Sequence, residues 1–135
     1  MKQTLTTCLA LILLVTGCSK HVDPPPADAD SIETLRTFLD AVIADDEKTG
    51  QHIAGPCWHK VKKWFNLNDD RIIKYEIPKA ATPRSMAPPE ARFDGIGFDY
   101  WDTSGKYHDR MVALFEREND KSPWQICEIS HEFAP

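Results

Sequence analysis

After Val15 the sequence has no long apolar run; nothing downstream approaches the ~20 residues that a membrane-spanning helix needs. Basic residues are not in excess. The formal net charge is −5, which argues against a nucleic-acid role, because neutralising phosphates takes clustered Lys and Arg. The chain also lacks a Gly-rich phosphate loop, a Gly-x-Ser-x-Gly elbow and a Cys-x-x-Cys pair, which removes the common nucleotide, hydrolase and dithiol signatures. No internal repeat is visible. Cysteine is scarce, with Cys8, Cys18, Cys57 and Cys127 making up the full set.

What is present begins with an address. Met1-Lys2 supplies a positive start, Leu9 to Val15 an apolar run, and Thr16-Gly17 two small residues before Cys18. Leu14-Val15-Thr16-Gly17-Cys18 resembles the lipobox of bacterial lipoproteins. The resemblance implies that residues 1–17 are a signal peptide cut after Gly17, that Cys18 takes a diacylglyceryl thioether, and that the new N-terminus is acylated. Ser19, rather than Asp, after the cysteine implies the outer membrane of a Gram-negative envelope, facing the periplasm. On this reading Cys8 leaves with the signal peptide, Cys18 is consumed by lipid, and Cys57 and Cys127 remain in an oxidising compartment. One disulfide is the simplest outcome; two buried thiols, or a reactive or metal-binding thiol, are the alternatives.

Residues 18–30 read as a lipidated cysteine and Pro-rich tether. Pro24-Pro25-Pro26 favours extended geometry, and twelve residues at ~3.1 Å each would lift a domain roughly 35–40 Å from the bilayer. Residues 31–135 then form one small domain. Asp30 with Glu33 three later starts a helix over about 31–45, its apolar positions Ile32, Leu35, Phe38, Leu39, Val42 and Ile43 recurring at three and four. Residues 49–57 read as loop. Trp58, Val61, Trp64 and Phe65 predict a short second helix over about 57–66, its other positions including His59, Lys60, Lys62 and Lys63; a core-facing aromatic stripe with a solvated basic face is the simpler reading, and a basic patch facing a membrane or a partner is the alternative. Strands follow at 71–77, with Ile73, Tyr75 and Ile77 on one face, and at about 91–102, 107–117 and 123–129. Residues 79–90 form a Pro-rich loop between the first two strands. Thr103-Ser104-Gly105-Lys106 is a hairpin turn, and Gly95 and Gly97 suggest a bulge or strong curvature.

The predicted class is α+β: one or two N-terminal helices on a curved antiparallel sheet of about four strands. A helix such as Ile32 to Ile43, followed by strands that end in Lys121-Ser122-Pro123-Trp124-Gln125-Ile126, is similar to the nuclear-transport-factor-two-like (cystatin-like) domains of bacterial lipoproteins. In that family the sheet closes into a cone around a pocket.

Several residue sets suggest chemistry. Asp94, Asp99, Asp102 and Asp109 flank the hairpin with His108 among them, and His108 with Asp99 or Asp109 suggests acid–base work in a hydrolase or isomerase. Solvated hairpin residues are the simpler reading. Cys57, His59, Cys127 and His131 are four zinc-type ligands without the paired spacing of a closed site. Tyr75, Phe98, Tyr100, Trp101 and Tyr107 lie on the strands and are candidates to line an apolar ligand pocket, or else to form core. The sequence favours no catalytic residue, metal or cofactor. The leading expectation is a non-enzymatic, membrane-anchored lipoprotein that serves another envelope protein as adaptor or accessory subunit. The second is a binding module for a small apolar or amphipathic ligand between helix and sheet.

Overall fold

Asp30 starts the first helix, α1 (Ser31–Ala44), by accepting the Glu33 N–H at 2.7 Å. The computed structural model describes residues 21–65, 70–78 and 90–131; the expected signal peptide over 1–17, Cys18 and residues 79–89 of the expected loop lie outside them. Leu35, Phe38 and Leu39 are fully buried and Val42 nearly so, which is the apolar stripe read from the sequence. Asp45 ends α1 in the left-handed region (φ 58°), donating its N–H back to the last turn.

A second helix, α2 (Glu47–Ala54), occupies most of the segment expected to be loop. Its carboxylates sit unfavourably at the end of α1, yet they suit the start of α2. Asp46 caps α2, accepting the Thr49 N–H at 3.2 Å and the Thr49 hydroxyl at 2.8 Å. Gly50, a residue that normally weakens a helix, is required by packing: a Cβ there would lie 2.2 Å from Cζ of Phe65. The expected helix at 57–66 is present in broken form. A 3-10 turn (Gly55–Cys57), one α-helical turn, α3 (Trp58–Val61), and a second 3-10 turn (Lys62–Phe65) follow one another.

Four strands complete the architecture: β1 (Ile72–Glu76), β2 (Phe93–Asp102), β3 (Tyr107–Glu116) and β4 (Gln125–His131), joined in the order β1-β2-β3-β4, all neighbours antiparallel. The helices pack on one face of this sheet, and the sheet does not close on itself. Ile96, Phe98, Met111, Phe115 and Ile126 are buried in the core that the sheet shares with the helices; each such side chain contributes about 1.5–3 kcal/mol on burial.

Each of the three ladders carries one register shift; that of β3–β4, between Leu114 and Phe115, leaves the adjacent Ile126 and Cys127 both buried. The β1–β2 register shifts between Ile72 and Lys74, so Ile72 is buried while Ile73 is 52 % exposed; Ile73 does not share the inner face with Ile77. The β2–β3 register shifts between Phe98 and Tyr100, and the extra residue falls on β3, where Arg110 adopts φ 56°. Gly95 and Gly97 pair regularly with Leu114 and Val112 and form no bulge.

The Pro-rich segment is not a free tether over its whole length. Val22 packs against the core. Its N–H donates to Asp46 Oδ2 at 2.9 Å, and its carbonyl accepts the Thr49 hydroxyl at 2.7 Å. Docking wins over solvation here because an apolar side chain is partly buried while both backbone groups are paired. The stretch left free to act as the expected tether is therefore shorter than twelve residues. Farther along, the Cys57 and Cys127 sulfurs lie 1.97 Å apart and join the Gly55–Cys57 turn to β4 across a sequence separation of 70.

Candidate functional site: an aromatic platform and groove

Alternation along β2 sends Phe98, Tyr100 and Asp102 inward and Asp99 and Trp101 outward. The five candidate pocket aromatics therefore do not line one cavity. Phe98 is core. Tyr75 is fastened to α1, donating its hydroxyl to Asp40 Oδ1 at 2.8 Å; burial, then that carboxylate, push its pKa up to about 12. Trp101 and Tyr107 meet on the outer face with ring centroids 4.9 Å apart, and Lys74 Nζ lies 4.7 Å from the Trp101 ring. Tyr107 donates to Asp99 Oδ2 at 2.7 Å, which together with burial raises it to about 12. Tyr100 alone of the five lines the groove described next.

His108 pairs with neither Asp99 nor Asp109. Its Nε2 lies 2.8 Å from Asp102 Oδ2, because Asp102 and His108 are diagonal neighbours on the inner face of the hairpin. Asp99 is engaged on the other face, accepting the Arg110 N–H at 3.1 Å. Asp102 is 1 % exposed. It accepts the Ser104 hydroxyl at 2.6 Å and the N–H groups of Ser104 and Lys106 at 2.9 and 3.1 Å. The Ser104 hydroxyl and then His108 hold its pKa far below the carboxylate range, although burial opposes them. The Ser104 hydroxyl donates to Asp102 rather than to His108, so the cluster fixes a ring and poises no nucleophile.

The fixed ring is a platform. His108 stacks on Tyr100 at 4.3 Å and 6°, and Trp64 meets Tyr100 edge-on at 5.9 Å and 90°. Burial, then the Asp102 and Asp70 carboxylates, raise the Tyr100 pKa and keep its hydroxyl protonated. Beside the platform lies an open groove of ≈ 730 Å³. Tyr100, Met111 and Ile129 line it, Trp64 and the Lys60 and Lys63 side chains flank it, and Glu128, Ser130 and His131 complete the β4 side. A neighbouring hollow of ≈ 280 Å³ shares Lys63, Trp64 and Tyr100 and adds Asp70 and His108. Trp64 Nε1 is buried with no hydrogen-bond partner among the described residues, a state that costs about 1–3 kcal/mol. The Trp58–Phe65 turns thus bring part of their basic face to the rim of a groove, an arrangement with β4 that no local sequence signal specifies.

The zinc-type set does not assemble. Cys57 and Cys127 are bonded to each other, His59 Nδ1 lies 3.1 Å from the Pro56 carbonyl, and His131 lines the groove. A Glu116 carboxylate oxygen is within 4.8 Å of both sulfurs, and the disulfide removes the thiolates that a soft metal needs. No protein family, curated protein or solved structure matches this chain. Among the described residues no helix is long and apolar enough to cross a membrane.

Proposed function

We propose that this chain is a lipid-anchored accessory protein of a bacterial envelope, held by Cys18, cut after Gly17, facing the periplasm from the outer membrane and contacting another envelope protein without catalysing a reaction. One observation carries the choice of working surface. The helix–sheet interior is filled by Phe38, Phe98 and Phe115, whereas the groove beside Trp64, Tyr100 and Met111 is open. A rigid aromatic platform with a polar rim suits protein recognition. The helix-first order and the strand phrase at Lys121–Ile126 support a distant relation to the nuclear-transport-factor-two-like domains, without their closed cone.

Site-specific photo-crosslinking tests this reading. A photoreactive residue at Lys63 or Ser130 should capture one and the same envelope protein, and less of it when Cys18→Ser releases the anchor. Capture from Phe93 and Leu114 on the outer sheet face instead, or metal-dependent turnover by the isolated protein, would overturn it. A second reading, an amphipathic ligand seated in the groove, is favoured by a lining that combines Trp64, Tyr100, Met111 and Ile129 with Lys60 and Lys63. Native mass spectrometry of the purified protein would reveal such a ligand as a discrete added mass.

A further inference from the structure

We infer that the end of the domain bearing the β2–β3 hairpin tip rests against the phospholipid headgroup surface, and that the end bearing the Glu118–Ser122 turn points away from it. The inference rests on the lipidation of Cys18 proposed above.

The contacts define two ends. At one, Ser31 at the start of α1 donates to Asp94 near the start of β2, and β3 runs out toward the Glu118–Ser122 turn. At the other, Asp45 after α1 meets Arg71 at 3.7 Å. Ile72 pairs with Asp102 there, at the base of the hairpin tip. Residues 29 to 22 run from the first end back to the second. Ala29 adjoins the α1 cap, while Val22 is bonded to Asp46 and Thr49 beside Asp45. The chain therefore leaves the domain at the hairpin end.

Reach then decides the orientation. Val22 and Cys18 are four residue steps apart, at most about 14 Å when fully extended. The ten residues of β2 span about 33 Å. A leash shorter than the body it holds keeps the near end at the bilayer. Undocked, the twelve steps from Cys18 to Asp30 would reach about 40 Å, and either end could approach. Arg71 and Lys106 at the near end are offset by Asp45 and Asp70, so covalent geometry rather than charge sets the contact. The hollow lined by Trp64, Asp70 and the stacked Tyr100 and His108 lies beside the base of the hairpin tip. A partner meets it close to the membrane.

The test uses the lipidated protein in vesicles of zwitterionic phospholipid containing a headgroup-labelled quencher. An environment-sensitive fluorophore is placed at Lys106 near the tip and, separately, at Lys121 in the far turn. Quenching several-fold stronger at Lys106 is expected. An eight-residue Gly/Ser insertion after Ser19, which leaves Val22 docked, should erase most of that difference. Equal quenching at the two positions, or stronger quenching at Lys121, in protein whose mass shows lipid on Cys18 would overturn the inference. Protein with no lipid mass on Cys18 would instead remove the anchor, and the proposed function would fail with it.

Discussion

Removing the Cys57–Cys127 link should cost roughly 4 kcal/mol. With a sequence separation of 70 between the cysteines, the chain-entropy relation gives a loss near that value at 25 °C. A domain of this size has about 5–15 kcal/mol in all, so the link carries from about a quarter to most of it. Both sulfurs are buried, Cys127 at 3 % exposure. The suitable variant is therefore Cys57→Ala with Cys127→Ala, which leaves no hydroxyl to desolvate. Urea unfolding of this variant, and of the native chain in reductant, should give matching losses of about 3–5 kcal/mol. The m-value should rise, because the uncrosslinked denatured chain exposes more surface. The local effect should be largest at Trp58 and Trp64, since the link fastens the turns that carry them to β4. A loss below about 1 kcal/mol, or thiols that react in the untouched native protein, would refute the reasoning.

Three further outcomes follow from single residues. Gly50→Ala should destabilise by about 1–3 kcal/mol despite the better helix former, because the new methyl meets the Phe65 ring; thermal melting reads this. Asp45→Gly should stabilise by about 0.5–1 kcal/mol, since it relieves a left-handed non-glycine residue at a helix C-terminus; denaturant midpoints at an unchanged slope check it. The depressed Asp102 pKa makes its contribution complete above the unfolded value near 3.9, and that contribution is lost as pH falls below it. The protection of the Ser104 and Lys106 amides against exchange, taken relative to the intrinsic rate at each pH, should fall in acid, and Asp102→Asn should abolish that fall.

The sequence announced elements whose signals are local, and it misled where the deciding contact was distant. α1 has period, cap and Glu33 within fifteen residues, so its ends were legible. α2 was hidden because Gly50 reads as a breaker until Phe65, fifteen residues on, occupies the space that a Cβ would take. Ile72 and Ile73 cannot be ranked without the β1 bulge, which is a property of the pairing with β2. The five aromatics form one list in sequence and two faces in space, as strict alternation along β2 requires. The Asp102–His108 pair was hidden by one residue of register. The four-residue turn read at 103–106 would set Asp102 against Tyr107, whereas the structure opposes Asp102 to Lys106 across residues 103–105 and makes His108 its diagonal neighbour; Asp99 and Asp109 attract attention only by proximity in sequence. The groove was not legible, because it depends on how two 3-10 turns sit over the end of a sheet. The docking of Val22 was equally hidden; it depends on Asp46 and Thr49, more than twenty residues away.

The most direct test of the anchored-domain account is the intact mass of the native protein recovered from a membrane fraction, followed by fragmentation of its N-terminal peptide. The account predicts a chain that begins at Cys18, carries a diacylglyceryl group on the thiol and an acyl group on the amine, and retains one disulfide. A chain that retains residues 1–17, or an unmodified Cys18 on protein found free in the periplasmic fraction, would contradict it.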